Sequence, residues 1–344
     1  MARFFSGREL EGLCRSVCES DESIVVNQRA VASFASSQIQ VEDVVPTAPP
    51  DALTEEDAER TAALLICWNA INFSYYPDDG QPRWRWLAPD GKEIGGDDEA
   101  NGVVAALSEL NKSSDMPLAS HAFLQQIDAA MLNEHIFKPA PGAGNLPLAE
   151  ARAAALREVG AALERRGCTP MGFVRAADRS AAKLVTMLVE EFPSYADVQR
   201  PPAIVSDRED VVELRFHKRA QLCASMLHGA GVASGFTDID CLSVFADYRL
   251  PQLFRASDVR ILELGGPLLT KIDEGRPIAR DSEDEVKLRA ATVWAAALVG
   301  EEVRKRAKVE VTQAQLDYYL WKLAVRRDAA GELPVFHRTR CTAY

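Results

Sequence analysis

No apolar run in the chain reaches the roughly 18 residues that a membrane-spanning helix requires, and the opening stretch MARFFSGRELEGLCRSVCES lacks the apolar core of a signal peptide. Basic residues are in deficit: 39 Lys and Arg face 51 Asp and Glu, for a net charge of −12. That balance argues against the broad cationic face with which proteins grip nucleic acid. The expected partner is a small molecule, with neither nucleic acid nor membrane involved. Cysteine is sparse and scattered, seven in 344 residues, and the one close pair, Cys14 and Cys18, has no second pair of Cys or His to complete a zinc site. The thiols therefore read as reduced, in a reducing and so cytoplasmic setting, and no metal is expected. The phosphate-loop, dinucleotide, zincin and hydrolase-elbow signatures are also absent, which removes the main support for those chemistries.

What remains is an ordinary globular composition, 47% hydrophobic and 26% charged, enough to bury a large core. Most of the periodic segments are helical. TEEDAERTAALLICWNAINF offers Thr54 as an N-cap, acids in its first turn, and Ala62, Leu65, Ile66 and Asn69 along one face. PLAEARAAALREVGAALERRG ends in two arginines and a glycine, as helix C-termini do, and RSAAKLVTMLVEEFP stops before Pro193. KRAQLCASMLHG, EDEVKLRAATVWAAALVGEEVRKRA and TQAQLDYYLWKLAVRRD complete the helical set. Only RWRWLAPDGKEIGG reads as strand, a hairpin from Trp84 to Ile94 around Pro-Asp-Gly. The expected fold is mainly α, a single helical domain over residues 1–344 with one small β-hairpin. VEDVVPTAPPDAL and FKPAPGAGNLP, rich in Pro and small residues, read as loose segments.

The chemistry has to be sought in carboxylates. GFTDIDCLSVFADYRLPQLF carries Asp238, Asp240 and Asp247 into an apolar run, where an unpaired carboxylate costs several kcal/mol to desolvate. Asp247 suits the start of a helix, with Pro251 still near the first turn and Arg249 available as a partner. The structural reading makes it a cap. The functional reading makes it a fixed anion beside Phe245 and Leu250, able to stabilise a developing cation.

The segments FTDIDCLSVFADYRLPQ, KLVTMLVEEFPSYADV, FHKRAQLC, NAINFSYYP, LDYYLWKLA and FHRTRC, spread over nearly the whole chain, resemble the queuosine salvage protein family, the queuosine 5′-phosphate N-glycosylases. The resemblance implies a helical fold related to the helix-hairpin-helix DNA glycosylases. It also implies hydrolysis of the N-glycosidic bond of queuosine 5′-monophosphate to queuine and ribose 5-phosphate, without a cofactor. Independently, cleavage of a nucleoside C1′–N bond builds positive charge on the ribose, which a nearby carboxylate stabilises. The family pattern makes Asp247 the catalytic residue, as electrostatic stabiliser or as nucleophile, and Asp238 a substrate ligand or the group that orients the attacking water, with a loop or cap acid as the structural alternative. Recognition of a deazaguanine calls for an acceptor and stacking surfaces, for which Asp317, Tyr318 and Phe245 are candidates, although Lys322 stands where the pattern leads one to expect an acid. Asn72, Phe73 and Tyr75 read more as core and cap than as contacts. For the phosphate, Lys218 and Arg219 lead a group that includes Arg215 and His217, with His337, Arg338 and Arg340 as the second cluster. The alternative is a non-catalytic binding protein for a modified deazaguanine nucleotide. An enzyme acting on queuosine within tRNA would need a basic tract that the chain lacks.

Overall fold

A computed structural model describes residues 4–20, 23–44, 53–96, 98–200, 213–232, 236–307 and 310–344. The architecture is mainly helical with three small two-stranded antiparallel sheets, as expected in class but with two sheets more than the sequence suggested. The anticipated hairpin is present, pairing Arg85–Leu87 with Glu93–Gly95, and Gly91 supplies the left-handed residue (φ 83°) that its turn requires. The others join Ile24–Val26 to Leu262–Leu264 and Val198–Gln199 to Leu214–Arg215. Strands of two or three residues between segments far apart in the chain carry no local period, so they leave no trace in sequence.

The long helices lie where their capping signals placed them. Glu55–Ala70 starts at Thr54, whose hydroxyl accepts from the Asp57 N–H at 3.1 Å, and Ala149–Arg166 ends on Gly167 in the left-handed conformation. Ala181–Glu191, Lys218–Gly229, Glu283–Arg306 and Gln313–Ala329 match the other helical segments. Gly7–Cys18, Gln28–Ser37 and Glu99–Leu110 are further helices that the sequence reading passed over. None of the helices among the described residues is long and apolar enough to cross a membrane.

Buried apolar side chains form two large clusters. The first gathers the helices Glu55–Ala70, Glu99–Leu110, Ala149–Arg166, Ala181–Glu191 and Lys218–Gly229. The second gathers Gly7–Cys18, Gln28–Ser37, Glu283–Arg306 and most of Gln313–Ala329. Glu283–Arg306 buries 15 of its 24 residues, around its whole circumference, so it acts as the axis of the second cluster. Three segments cross between the clusters. Phe216 belongs to the second and Ala220 to the first; Phe245 belongs to the first and Ala246 to the second; Ala314 belongs to the first and Leu316 to the second. Lys218, Asp247 and Asp317 stand at or beside these crossings.

The FKPAPGAGNLP segment is irregular but tied down: Pro139 bridges to Trp86 and the Phe137 carbonyl accepts from Trp84 Nε1 at 2.9 Å. Of VEDVVPTAPPDAL, Val41–Val44 is helical and residues 45–52 lie outside the described residues. Gly102 sits where Glu99–Leu110 meets the hairpin, and an added Cβ would lie 2.8 Å from Trp84 and 2.9 Å from the Ile94 carbonyl. Gly102→Ala is expected to destabilise the chain by about 1–3 kcal/mol through this overpacking. Denaturant unfolding checks it, and a neutral substitution would mean that helix and hairpin are not in contact as described.

Candidate functional site

The site is built around a buried ion pair. Arg289, on the axial helix, donates to both carboxylate oxygens of Asp197 at 2.8 and 2.6 Å, to Gln199 Oε1 at 3.0 Å and to the Ala246 carbonyl at 3.3 Å. Asp197 and Arg289 are only 2% and 1% exposed. Burial alone would raise the Asp197 carboxyl, but the Arg289 charge and its hydrogen bonds outweigh that and hold it below the usual carboxylate range. Burial likewise works against the Arg289 charge, and Asp197 more than compensates. Asp197 also receives the Lys218 N–H at 3.2 Å, and its carbonyl receives the His217 N–H at 3.1 Å. One acid thus sets the start of the Lys218–Gly229 helix while its partner arginine holds the residue before Asp247.

Asp247 is half-buried. Its Oδ1 accepts from the N–H groups of Arg249 at 2.8 Å and Leu250 at 3.4 Å, at the start of the Arg249–Phe254 helix. The capping role expected from the sequence is therefore real, with one correction: Arg249 contributes its backbone, while its guanidinium pairs with Asp328 at 2.5 Å. Among the described residues Asp247 Oδ2 accepts no hydrogen bond. Asp317, 5% exposed, accepts the Phe245 N–H at 2.8 Å. Burial, reinforced by the neighbouring Asp247 charge, pushes its carboxyl well above the ordinary value. Lys218 is equally buried; desolvation lowers its ammonium, and the charges of Asp247 and Asp317 act in the opposite direction. Among the described residues its Nζ has no ion pair within 4 Å. Fold closure therefore brings together Asp247, Asp317, Phe245 and Lys218 from three separate parts of the chain.

The other nominated residues are placed elsewhere. Asp238 caps the Ala181–Glu191 helix, accepting from Ser180 Oγ at 2.7 Å and from the Ala181 and Ala182 N–H groups at 2.6 and 3.4 Å. Tyr318 is 62% exposed, with Lys322 over its ring at 5.2 Å, because one step along a helix turns the side chain by about 100° away from the buried Asp317. Arg219 is fully buried and donates to the backbone carbonyls of Asn69 (3.1 Å), Ala70 and Ser194. Arg152, which the sequence reading overlooked, does the same for Ile71, Phe73 (2.6 Å) and Ser74 (3.3 Å). Arg219 thus satisfies the last carbonyls of the Glu55–Ala70 helix and Arg152 those of the residues just beyond it, and Phe73 lies under both guanidinium groups, 4.5 Å from that of Arg152 and 5.1 Å from that of Arg219. Asn72, Phe73 and Tyr75 are buried, with Tyr75 Oη donating to Asn72 Oδ1 at 2.9 Å. Arg215 lies over Phe5 at 5.2 Å, His217 is buried in a left-handed conformation (φ 43°), and Arg338 and Arg340 pair with the exposed Asp79 and Asp78.

An open cleft of about 650 Å³ lies away from these residues, between the hairpin and the wall formed by Phe123, Met131 and Ile136. At the seam, acids and an ammonium converge under desolvation, which makes it the candidate site. Among the described residues no group of three or more His, Cys, Asp or Glu side chains is arranged to hold a metal ion.

Two carboxyls and an ammonium that meet only through folding form a site suited to opposing a positive charge on a bound ligand. A family model described as queuosine salvage protein matches residues 52–344, and the chain belongs to that family. It is 30% identical over 338 residues, with 96% of each chain covered, to a Sphaerobacter thermophilus protein named queuosine 5′-phosphate N-glycosylase/hydrolase. A Mus musculus protein of the same name is 28% identical over 351 residues, covering 96% of this chain and 97% of its own, and one from Bos taurus is 29% identical over 85% of each.

The pH response of Asp317 is a direct test of its setting. An unfolded Asp titrates near about 3.9, and a raised native value means that the fold binds the proton more tightly, so stability is lost as pH rises through the native value. Asparagine keeps the acceptor for Phe245 and has no charge to bury. The melting temperature of Asp317→Asn is expected to gain on that of the wild type as pH rises from about 4. Parallel melting curves across pH would show that Asp317 is not desolvated as described.

Proposed function

We propose that this chain hydrolyses the N-glycosidic bond of queuosine 5′-monophosphate, releasing queuine and ribose 5-phosphate. The observation that carries the reading is the free Oδ2 of Asp247, held at the seam by a backbone-anchored Oδ1 and flanked by Lys218 and Asp317. The names of the relatives supply the substrate, and the acids supply the chemistry it needs. As the C1′–N bond breaks, its electron pair leaves with the base, the ribose ring becomes cationic, and a fixed carboxylate lowers the energy of that state. Water then adds to C1′ and loses a proton, and the departing base gains one, so the products balance as a hydrolysis.

Lys218 acts here as a counter-ion. Buried, with the charges of Asp247 and Asp317 favouring its ammonium, it offsets their negative charge, a role that its depth favours over the phosphate contact expected from sequence. Phe245 and Asp317, joined through the Phe245 N–H, are assigned to recognition of the base. The whole chain works as one catalytic unit because the seam requires both clusters. The substrate is a small nucleotide, and no organic cofactor takes part.

Asp247→Asn separates the two roles of the residue. Asparagine caps a helix almost as well as aspartate, so the variant is expected to keep its melting temperature within a few degrees. Loss of the anion is expected to lower kcat roughly 100-fold or more while largely sparing ground-state binding. Single-turnover release of base, followed by mass spectrometry, measures it. Near wild-type turnover in the folded variant would remove Asp247 from the chemistry, and binding without any release by the wild type would make the chain a binding protein.

A further inference from the structure

We propose that Tyr344 is a positioning residue for this reaction, fixing through its ring and hydroxyl the Arg289 guanidinium that holds the Ala246 carbonyl next to Asp247. The proposal rests on the reading of Asp247 given above.

The geometry forms an unbroken chain. Tyr344 Oη donates to Glu285 Oε1 at 2.8 Å, and its ring centroid lies 4.5 Å from the Arg289 guanidinium carbon. Phe216 covers the same guanidinium at 4.1 Å. Glu285 is fully buried; its other oxygen receives the Asp281 N–H at 3.0 Å and Gln199 Nε2, while Gln199 Oε1 accepts from Arg289 at 3.0 Å. The guanidinium is thus held at its edges by Asp197, Gln199 and Ala246 and covered by two aromatic rings. A planar cation with all three nitrogens engaged has little freedom to tilt, so the Ala246 carbonyl at 3.3 Å has a fixed partner, and the Asp247 carboxylate follows one residue later.

Tyr344 is itself well anchored. Its carbonyl accepts the Ser74 N–H at 3.0 Å, and Ser74 Oγ donates to the Cys341 carbonyl at 2.8 Å and accepts from the Cys341 N–H at 3.1 Å. Ser74 can make these bonds because its backbone is left-handed (φ 37°), with its carbonyl held by the buried Arg152. His337 lies within 3.4 Å of the phenol oxygen, and its imidazole, pushed by burial down to about 3, stays neutral. Burial also raises the Tyr344 phenol, which keeps it a donor to Glu285. The first cluster's NAINFSYYP block therefore reaches the Asp197–Arg289 pair through the segment that ends in Tyr344.

The test compares Tyr344→Leu, Tyr344→Phe and Asp247→Asn with the wild type for single-turnover base release from queuosine 5′-phosphate, KM and thermal melting. Leucine refills much of the volume but has neither ring nor hydroxyl. In the folded Tyr344→Leu variant, assayed well below its melting temperature, kcat is expected to fall roughly 10- to 100-fold, as for a misaligned catalytic group, with KM within about threefold. Phenylalanine restores the ring but not the hydroxyl bond to Glu285, so its kcat is expected to lie between those of Tyr344→Leu and the wild type, severalfold below the latter. A structural role alone would lower the melting temperature and leave kcat of the folded fraction unchanged, and that result overturns the proposal. So does a rise in KM that matches the fall in kcat. If Tyr344→Leu does not fold, Tyr344→Phe decides: a severalfold lower kcat supports the positioning role and an unchanged kcat ends it. Wild-type turnover by Asp247→Asn would instead sink the reading on which the proposal rests, whereas an inert Asp247→Asn beside a fully active Tyr344→Leu would sink only the proposal.

Discussion

An arginine and an aspartate that are both withdrawn from water organise much of this fold. Moving such ions out of solvent costs several kcal/mol each, and the attraction between them repays that only when the remaining hydrogen-bonding groups are also satisfied. Here they are. Asp197 uses both oxygens on Arg289 and one again on the Lys218 N–H, while Arg289 adds Gln199 and Ala246. The segments so joined are the Pro193–Tyr195 turn and its following strand, the start of the Lys218–Gly229 helix, the axial Glu283–Arg306 helix and the approach to Asp247. Few other arrangements of these segments satisfy both ions, so the pair selects a single mutual placement of the two clusters more than it adds net stability.

The arginines explain how a strongly acidic chain keeps cations where they matter. Arg219 is spent on the last carbonyls of the Glu55–Ala70 helix, Arg152 on those of the residues that follow it, and Arg289 on Asp197. Each of these guanidinium groups is buried over or beside an aromatic ring, an environment that suits a weakly hydrated planar cation better than an ammonium. Lys218 is the contrasting case. Its Nζ has no ion pair within 4 Å among the described residues, so its charge acts on Asp247 and Asp317 through space. An ammonium of this kind can adjust to a ligand as a clamped guanidinium cannot.

Local signals carried much of the fold and the residue types of the candidate site, but not their meeting in space. Helices with a capping residue and a one-sided apolar face were legible, as was the hairpin, because Thr54, Gly167 and Pro-Asp-Gly act within a few residues of themselves. The two other sheets and the seam were not: strands of two or three residues carry no period of their own, and the seam joins segments far apart in the chain. Asp247, Asp317, Phe245 and Lys218 were picked out as residue types in family-like blocks, but nothing in those blocks says that the four meet. Tyr318 and Asp238 show the limit from the other side. Each stands in a suggestive block, and a helix rotation or a free helix end determines where the side chain goes. Arg289 had a usable signal. A charge in the middle of VKLRAATVWAAALVG, a helix too apolar to have a wet face at that point, requires a buried partner, and Asp197 was already in view in the SYADV segment.

On the function proposed above, Asp247 is both cap and reactive group, with one oxygen for each role. A carboxylate left free on a flexible side chain would have to be ordered when the substrate reacts, at a cost in side-chain entropy. Tying Oδ1 to two backbone N–H groups meets that ordering cost during folding, and it directs Oδ2 without consuming it. The same N–H groups stabilise the charge, while Asp317 beside it, raised by burial, can hold a proton and so spare the site a second full negative charge. A helix start is therefore a suitable base for an electrostatic catalyst: the backbone that needs a cap supplies the rigidity that catalysis needs. Capping and chemistry are then one arrangement of the same side chain, and the buried arginine behind Ala246 extends that rigidity into the core.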